Sequence, residues 1–218
     1  MSGLAKANHA MVRGAFILLE GCDRTGKSTQ AERLVDALNR RGQRALLWKF
    51  PDRTTRIGQM IDGYLAKGQD LNDQAVHLLF SANRWEAIGQ IQAHLREGTH
   101  LVVDRYAYSG VAFSAAKGLD LHWCKQPDVG LLTPDLTFFL DMSIEESMNR
   151  GGFGQERYEK VALQTRVREM FHALREPDWK VIDATQTKDQ IHAELLGIAQ
   201  ATIGCVGNTE LKHTLWTV

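Results

Sequence analysis

Residues 15–28 read Ala-Phe-Ile-Leu-Leu-Glu-Gly-Cys-Asp-Arg-Thr-Gly-Lys-Ser, and this stretch decides the fold. The eight residues from Gly21 to Ser28 match the phosphate-loop pattern G-x-x-x-x-G-K-S. The glycines let backbone N–H groups surround a phosphate chain, Lys27 can reach the terminal phosphates, and the Ser28 hydroxyl can ligate Mg²⁺. The apolar run before the loop predicts a buried parallel strand, and residues 29–38 after it predict a helix whose N-terminal dipole favours phosphate. The stretch therefore predicts an α/β fold that binds a phosphorylated ligand.

The composition restricts the class of protein. Of the 218 residues 44% are hydrophobic, so we expect one α/β domain with a sizeable core. The 26 basic and 26 acidic residues cancel, which argues against a general binder of nucleic acid or of anionic membranes. No stretch reaches the roughly 18 apolar residues of a membrane span. We therefore expect neither a nucleic-acid partner nor a membrane partner.

The cysteines and the N-terminus bear on the compartment. Cys22, Cys124 and Cys205 show no C-x-x-C and no spacing typical of disulfides, which favours a reducing, cytoplasmic compartment without excluding nuclear or mitochondrial pools. Residues 1–13 lack the apolar region of a signal peptide and are predicted to be a flexible tail before a domain at 14–218. Cys22 is interpreted as a neutral filler of the loop. The alternative is that its position near a helix N-terminus lowers the thiol pKa and makes it sensitive to oxidation.

Strand-like and helix-like segments alternate along the chain, which is typical of a parallel sheet covered by helices on both faces. Strands are predicted at Ala15–Glu20, Ala45–Phe50, Thr99–Asp104, Leu136–Asp141 and Lys180–Ile182. Capping boxes predict helix starts at Ser143 with Glu146 and at Thr187 with Gln190. Gly151–Gly154 has three glycines in four residues, so it predicts either a plain surface turn or a lid over a reactive site.

The segment Asn72–Glu97 predicts a long helix with two apolar stripes. One stripe comprises Leu71, Ala75, Leu78, Ala82 and Trp85. The nearly opposite side carries Ile88, Ile91 and Leu95, together with Phe80 and Arg84. An ordinary surface helix has a single stripe, so we expect this helix to be covered on both sides. It is either a central core helix or a helix between the sheet and a second subunit.

The third predicted strand ends in Asp104, and Arg105 follows it directly. In phosphate-loop enzymes an aspartate at the end of a strand holds Mg²⁺, often through water. Adjacent residues that leave a strand point in different directions, so Asp104 can face a metal while Arg105 faces another anion. The alternative for Arg105 is a surface arginine without a role.

Three further side chains suit a planar, phosphorylated ligand. Arg53, in Phe50-Pro51-Asp52-Arg53, follows the carboxyl end of a strand, where open α/β sheets bind their ligands. Phe80 and Arg84 share a helix face, and an aromatic ring beside a guanidinium can hold a planar base. The alternative for this pair is a core phenylalanine and a surface arginine.

Two charged residues inside the loop are unusual. A carboxylate beside a phosphate chain is repelled, so Asp23 is expected to face another group such as a sugar hydroxyl. Arg24 could neutralise the charge that develops on a transferred phosphoryl group. The alternative is an Asp23–Arg24 surface pair that contributes little.

An ordered set of motifs resembles thymidylate kinase of the eukaryotic type. Besides the loop, these motifs are Phe50-Pro51-Asp52-Arg53, Leu79–Trp85, Asp104-Arg105-Tyr106, Ser109–Phe113, Trp123–Leu131 and Phe153–Glu159. The set covers about residues 14 to 185 in order, although only the loop is specific by itself. The resemblance implies a five-stranded parallel sheet flanked by helices, of the adenylate-kinase-like nucleoside monophosphate kinase type, with a lid near residues 150–158. It also implies a homodimer and transfer of the γ-phosphoryl group of ATP to dTMP with Mg²⁺.

The resemblance also implies roles for residues at matching positions. It implies catalytic roles for Arg24, Lys27, Asp104 and Arg105, and metal ligation by Ser28 and Asp104. It implies ATP contacts from Gly21, Asp23, Arg24, Thr25, Gly26, Lys27, Ser28, Thr29 and Arg150. It implies dTMP contacts from Asp23, Arg53, Phe80, Arg84, Arg105, Ser109, Phe113 and Tyr158. A catalytic contribution from Arg157, near the lid, stays open.

Three other functions are weaker. A deoxynucleoside kinase needs a carboxylate base for a neutral 5′-hydroxyl, whereas the cluster of Arg53, Arg84 and Arg105 suits an acceptor that already carries a phosphate. A GTPase-type switch is disfavoured because the chain lacks an N-K-x-D guanine motif. An inactive paralogue acting as a scaffold is disfavoured because every expected catalytic position is filled.

Overall fold

The computed structural model describes residues 12–66, 68, 70–150 and 157–217. Its elements, in chain order, are β1 (Phe16–Glu20), α1 (Lys27–Arg40), β2 (Ala45–Lys49), α2 (Arg56–Leu65), α3 (Asp73–Arg96), β3 (His100–Asp104), α4 (Ala107–Ala115), α5 (Leu121–Lys125), β4 (Leu136–Asp141), α6 (Ile144–Met148), α7 (Val161–Leu174), β5 (Lys180–Asp183) and α8 (Lys188–Val206). A short 3₁₀ helix, Gln126–Asp128, follows α5. The segment Gly151–Gly154, for which the sequence predicts a turn or a lid, lies outside the described residues.

The five strands form one parallel sheet in the order β2-β3-β1-β4-β5, so the predicted fold class is confirmed. Every residue of the central strand β1 is buried. β1 lies between β3 and β4, and the chain runs from β1 to β2 on one side of the sheet and from β4 to β5 on the other. In open α/β sheets such a point of divergence creates a crevice at the carboxyl ends of the strands. The phosphate loop joins β1 to α1 at this edge.

Successive residues of β1 pack on opposite faces of the sheet, as the pleat requires. Leu19 belongs to the apolar cluster that contains Leu34 of α1 and Leu195 of α8. Leu18 belongs to the cluster on the other face, with Ile91 of α3 and Phe171 of α7. Helices therefore cover both faces and hold the crevice-forming edge rigid.

Helix α3 packs only one of its two predicted stripes within this chain. Ile91 and Leu95 are fully buried, whereas Leu78 is 47% exposed and Trp85 is 40% exposed. The interpretation as a central core helix is therefore wrong for the outer stripe. Within the described residues the cover of that face is partial, because Leu71 packs against the core and Trp85 donates to the Pro127 carbonyl oxygen while Leu78 stays exposed.

Both predicted capping boxes are confirmed. The Ser143 hydroxyl accepts the Glu146 N–H at the start of α6, and the Thr187 hydroxyl accepts the Gln190 N–H at the start of α8. Among the described residues, no helix has the length and apolarity that a membrane crossing requires.

The prediction of a flexible tail is wrong at its last residue, Arg13. Its Nη1 and Nη2 atoms each donate to the Asp135 carboxylate at 2.7 Å, and the Arg13 side chain is buried. The packed part of the chain therefore begins inside the predicted tail. Residues 1–11 lie outside the described residues.

Candidate active site

A cleft of about 900 Å³ lies along the phosphate loop and the carboxyl ends of β2 and β3. The residues predicted for the site that line it are Asp23, Arg24, Thr25, Gly26, Lys27, Ser28, Thr29, Arg53, Phe80, Arg84, Asp104, Arg105, Ser109, Phe113, Arg150 and Tyr158. Of the predicted residues that the structure describes, Gly21 alone is not part of the lining. A Cβ at Gly21 would lie 2.5 Å from the Leu140 carbonyl oxygen, so glycine is needed there for close backbone packing.

The loop holds a buried ammonium group. Gly26 takes the left-handed conformation, with φ of 95°, and α1 begins directly after it at Lys27. Lys27 Nζ donates to the Cys22 carbonyl oxygen and lies 3.4 Å from Thr25 Oγ1. Burial, with the Arg105 guanidinium as a second cause, lowers the pKa of Lys27 to about 8. An anion placed in the loop would relieve this cost.

Arg24 adopts a strained backbone conformation on the cleft wall. Its φ is 64°, in the left-handed region that costs a residue with a Cβ about 1–3 kcal/mol. Its Nε donates to Glu159 Oε1 at 2.9 Å, and its carbonyl oxygen accepts from Arg150 Nη1 at 3.2 Å. Arg150 Nη2 also donates to the Ala184 carbonyl oxygen. These contacts join the loop to the segment between β5 and α8.

Asp104 offers a ligand atom for a cation. The residue is 1% exposed, and its Oδ2 accepts the Ser28 hydroxyl at 2.5 Å. Lys49 Nζ lies 3.8 Å from the same oxygen. Within the described residues Oδ1 is buried without a hydrogen-bond partner, which is costly for a carboxylate unless a cation or water meets it.

This pair of oxygen ligands fits Mg²⁺. Magnesium keeps several waters and is held by one or two protein oxygens plus substrate phosphates, rather than by a full protein cage. Across the described part of the chain, no group of three or more His, Cys, Asp or Glu side chains could hold a metal ion. The donors Ser28 and Asp104 therefore suit Mg²⁺ better than a metal that demands a closed site.

The Arg105 side chain enters a charged cluster beside the loop. Its φ is 70°, a second left-handed non-glycine residue at this cleft. Its guanidinium pairs with the Asp23 carboxylate and donates to Ser109 Oγ at 3.1 Å. The surface-arginine alternative is therefore wrong. The cluster fixes one cationic group beside the loop.

Two polar residues that hold this cluster escaped the sequence analysis. Glu20 is fully buried at the end of β1 and accepts the N–H groups of Tyr106 at 2.9 Å and Ser109 at 3.1 Å. Burial raises the pKa of Glu20. Gln164 of α7 donates from Nε2 to Asp23 Oδ2 at 2.6 Å. Because Asp23 is bound by Arg105 and Gln164, the Asp23–Arg24 surface pair is wrong.

The other end of the cleft combines aromatic rings with a buried guanidinium. The Phe113 and Tyr158 ring centroids are 5.3 Å apart, and the Arg105 guanidinium carbon lies 5.4 Å from the Phe113 centroid. Arg84 is 2% exposed, so the surface-arginine alternative is wrong for this residue too. Phe80 lies one helical turn before Arg84 and lines the same cleft.

The two remaining arginines differ in their position. Arg53 lines the cleft and donates from Nη1 to Asp62 at 2.7 Å. Arg157 is not part of the cleft lining, and its guanidinium carbon lies 4.3 Å from the centroid of the Tyr64 ring on α2. Arg157 Nε also donates to the Tyr64 carbonyl oxygen at 2.8 Å, so Arg157 is bound to α2 in this arrangement.

The Cys22 thiol fits the interpretation as a neutral filler and contradicts the redox-sensitive alternative. Its exposure is 2%, and burial raises its pKa to about 12. A protonated, enclosed thiol is a poor target for oxidants, so the predicted lowering of the pKa is wrong.

Comparison with known proteins identifies the family. The family model for thymidylate kinase matches residues 19–195. This chain belongs to the thymidylate kinase family. Human thymidylate kinase is 49% identical over 195 residues, which cover 88% of this chain and 92% of that protein. The Arabidopsis thaliana thymidylate kinase is 48% identical over 194 residues, covering 89% of this chain and 74% of that protein.

A solved structure agrees with the sequence relatives. The thymidylate kinase of Candida albicans superposes with a TM-score of 0.81 at 42% identity, covering 87% of this chain and 92% of that one. Thymidylate kinases phosphorylate dTMP to dTDP with ATP, so family membership makes this chain a nucleotide-binding kinase. The cleft described above brings together groups that suit a phosphate, a cation and a planar base: the loop, Asp104 and the Phe80–Arg84 pair.

Proposed function

We propose that this chain transfers the γ-phosphoryl group of ATP to dTMP, giving dTDP and ADP, within the single cleft at the carboxyl edge of the sheet. One observation carries the assignment of the site. The phosphate loop with Lys27, the cationic group of Arg105, and the Phe80–Arg84 pair all line the same 900 Å³ cleft. That arrangement suits a donor polyphosphate, an acceptor phosphate and an acceptor base in this order.

The donor half is assigned to the loop and its neighbours. Lys27 and the N–H groups of the loop, including those of Gly26 and Thr29, bind the β- and γ-phosphates. Arg150, fixed between the loop and the β5–α8 segment, packs on the adenine. Ser28 and Asp104 hold Mg²⁺, which when bound neutralises charge on the phosphate oxygens.

The acceptor half is assigned to the opposite end. Phe80 stacks on thymine and Arg84 donates to its O4, while Arg53 and Arg105 bind the acceptor phosphate. The remaining assigned residues shape the sugar and base pocket: Asp23 binds the 3′-hydroxyl, Ser109 and Phe113 form walls, and Tyr158 crowds the 2′ position. Their support is the common cleft and the burial of Arg84, Ser109, Phe113 and Tyr158.

The chemistry requires positioning and charge neutralisation. The acceptor phosphate is itself the nucleophile and is already ionised near neutral pH, so no strong general base is needed. Arg24 extends from the loop and stabilises the phosphoryl group in transit, a role that contributes several powers of ten in rate in related reactions. Glu159 holds the Arg24 guanidinium by its Nε and so limits the orientations it can take.

We further propose that the chain forms a homodimer through the outer stripe of α3. Leu78 and Trp85 are large apolar residues exposed on one helix face, together with the smaller Ala75 and Ala82 nearby. Such a stripe is stabilised when a second copy covers it.

The free Cys22, Cys124 and Cys205 are consistent with a reducing, cytoplasmic compartment.

ADP production from ATP and Mg²⁺ with each of dTMP, dUMP, dCMP, AMP and free thymidine tests the proposed function. We expect fast turnover with dTMP, slower turnover with dUMP, and none with thymidine. Turnover with thymidine but not with dTMP would contradict the arginine assignments and indicate a nucleoside kinase. Turnover with none of these acceptors would contradict the kinase assignment itself.

A further inference from the structure

Arg84 and Asp128 form an ion pair that is withdrawn from solvent. Their side chains are 2% and 0% exposed. Arg84 donates from Nε to Asp128 Oδ1 at 3.1 Å and from Nη2 to Oδ2 at 2.5 Å. A buried pair contributes little net stability, because the loss of hydration offsets the attraction between the charges. A two-pronged contact does, however, fix the guanidinium in one orientation.

The carboxylate is itself held in place. Ser81 Oγ donates to Asp128 Oδ1 at 2.7 Å and lies 3.0 Å from the Pro127 carbonyl oxygen. The Trp85 indole N–H donates to the same carbonyl oxygen at 2.7 Å. The 3₁₀ helix that carries Asp128 is thus tied to α3 at two successive turns. The Asp128 carboxylate therefore holds the Arg84 guanidinium from a fixed position.

The other side of the guanidinium is enclosed by α4. A Cβ built on Gly110 would lie 2.9 Å from Arg84 Nη2 and 3.0 Å from Nη1, so only glycine leaves room there. Within the described residues Nη1 makes no hydrogen bond, while Nε and Nη2 are used by Asp128. Arg84 lines the cleft, whereas Asp128 does not. Nη1 therefore keeps both of its N–H groups for a ligand, and Nη2 keeps one.

We propose that Asp128 is a positioning residue that sets the base preference of the acceptor site through Arg84, without touching the nucleotide. This rests on the function proposed above. A guanidinium can only donate hydrogen bonds. When it is fixed, it favours a pyrimidine with a keto oxygen at position 4, as in thymine, and opposes the amino group that cytosine carries there. If the two hydrogen bonds to Asp128 were lost, the Arg84 guanidinium could turn away from the amino group of cytosine. The site would then bind both thymine and cytosine.

The primary test is Asp128→Asn, which keeps the side-chain shape but removes the charge and one acceptor. The values of kcat and KM are measured for dTMP and dCMP at saturating ATP and Mg²⁺, and the dissociation constants of both nucleotides are measured in parallel. We expect the dTMP-to-dCMP ratio of kcat/KM to fall at least tenfold. The change should come mainly from a higher KM for dTMP, with the KM for ATP within twofold of wild type.

Two further variants separate positioning from a general loss of structure. Ser81→Ala removes one hydrogen bond to Asp128 and leaves both charges, so we expect a two- to fivefold lower ratio in a variant that still unfolds cooperatively, at a somewhat lower temperature because a buried hydrogen bond is lost. Asp141→Asn is the matched control, because Asp141 binds Arg168 by a similar fork at 2.7 and 2.9 Å and neither residue lines the cleft. We expect Asp141→Asn to leave the ratio as in wild type.

The outcomes distinguish this proposal from the proposed function. A wild-type enzyme that neither binds nor phosphorylates dTMP contradicts the proposed function. A wild-type dTMP-to-dCMP ratio in folded Asp128→Asn overturns the positioning role. If Asp128→Asn does not fold, an unchanged ratio in Ser81→Ala overturns it instead. An equal fall in the ratio for Asp141→Asn also overturns it, since the effect would then not be specific to Arg84.

Discussion

Gly110→Ala should disturb the acceptor site while adding only one methyl group. The new Cβ would lie 2.9 Å from Arg84 Nη2 and 3.0 Å from Nη1. Carbon and nitrogen atoms in contact prefer about 3.5 Å or more, so the guanidinium must withdraw by about 0.6 Å. It has little freedom to do so, because Asp128 holds its Nε and Nη2 atoms by hydrogen bonds of 3.1 and 2.5 Å.

The magnitude follows from this enclosure. Adding a methyl group to a closely packed site costs about 1–3 kcal/mol, and alanine in place of glycine inside a helix returns about 0.5–1 kcal/mol. We therefore expect the free energy of unfolding to fall by up to about 2.5 kcal/mol. If the packing strain of about 1–3 kcal/mol falls on the bound nucleotide instead, the KM for dTMP rises about 5- to 150-fold. The KM for ATP should change little.

Steady-state kinetics with each substrate varied in turn, together with urea unfolding, measures these effects. The matched control is Gly197→Ala in α8, where nothing lies within 4 Å of the added Cβ. That variant should be more stable by about 0.5–1 kcal/mol and kinetically normal. A Gly110→Ala enzyme with a wild-type KM for dTMP and wild-type stability would refute the enclosure of Arg84.

Three other perturbations test separate parts of the structure. Arg24→Ala should lower kcat by about a thousandfold or more while the dissociation constants of ATP and dTMP change little; a raised KM with normal kcat would show that Arg24 only binds. Burial, and next the Arg84 charge, lowers the pKa of His77, so the folded state keeps this ring neutral while the unfolded chain binds a proton below about pH 6.5. The contribution of the neutral His77 ring to the free energy of unfolding is therefore complete above that pH and falls by up to about 1.4 kcal/mol per pH unit below it. Urea unfolding of wild type and of His77→Gln at pH 7.5, 6.5 and 5.5 measures this loss, which should appear in wild type and not in the variant. The same pH dependence of the free energy of unfolding in both proteins would contradict the prediction. Leu78→Glu combined with Trp85→Glu should give a monomer by analytical ultracentrifugation where wild type is a dimer, and a monomeric wild type would contradict the dimer proposal.

Local patterns predicted most of the fold. The loop, the five strands and both capping boxes each occupy a few consecutive residues, and the physical preference that forms them acts over the same short range. The strand ends differ from the prediction by one residue, as at Phe50, which follows β2 instead of ending it. Helix α3 shows the limit of prediction from the apolar pattern. Two apolar stripes predict that both sides of the helix are covered, but they do not show whether the covering residues belong to the same chain or to a second subunit.

The residues that hold the site in place could not be predicted, because their partners are distant in sequence. Asp128 is 44 residues from Arg84, and Gln164 is 141 residues from Asp23. Asp128 lies within the motif Trp123–Leu131 that carries the family resemblance, but the motif alone assigned it no role. The redox-sensitive alternative for Cys22 is wrong because a helix N-terminus lowers a thiol pKa only while the thiol stays hydrated, and here burial dominates.

The central claim is that donor and acceptor occupy two ends of one cleft, with the phosphates in line between them. The most direct test is calorimetric binding of a thymidine and an adenosine joined 5′ to 5′ through five phosphates, in the presence of Mg²⁺. We predict one molecule bound per chain, with complete loss of binding for both ATP and dTMP once the compound is saturating. Continued binding of dTMP or of ATP beside the saturating compound would contradict the claim, because the two nucleotides would then occupy separate sites.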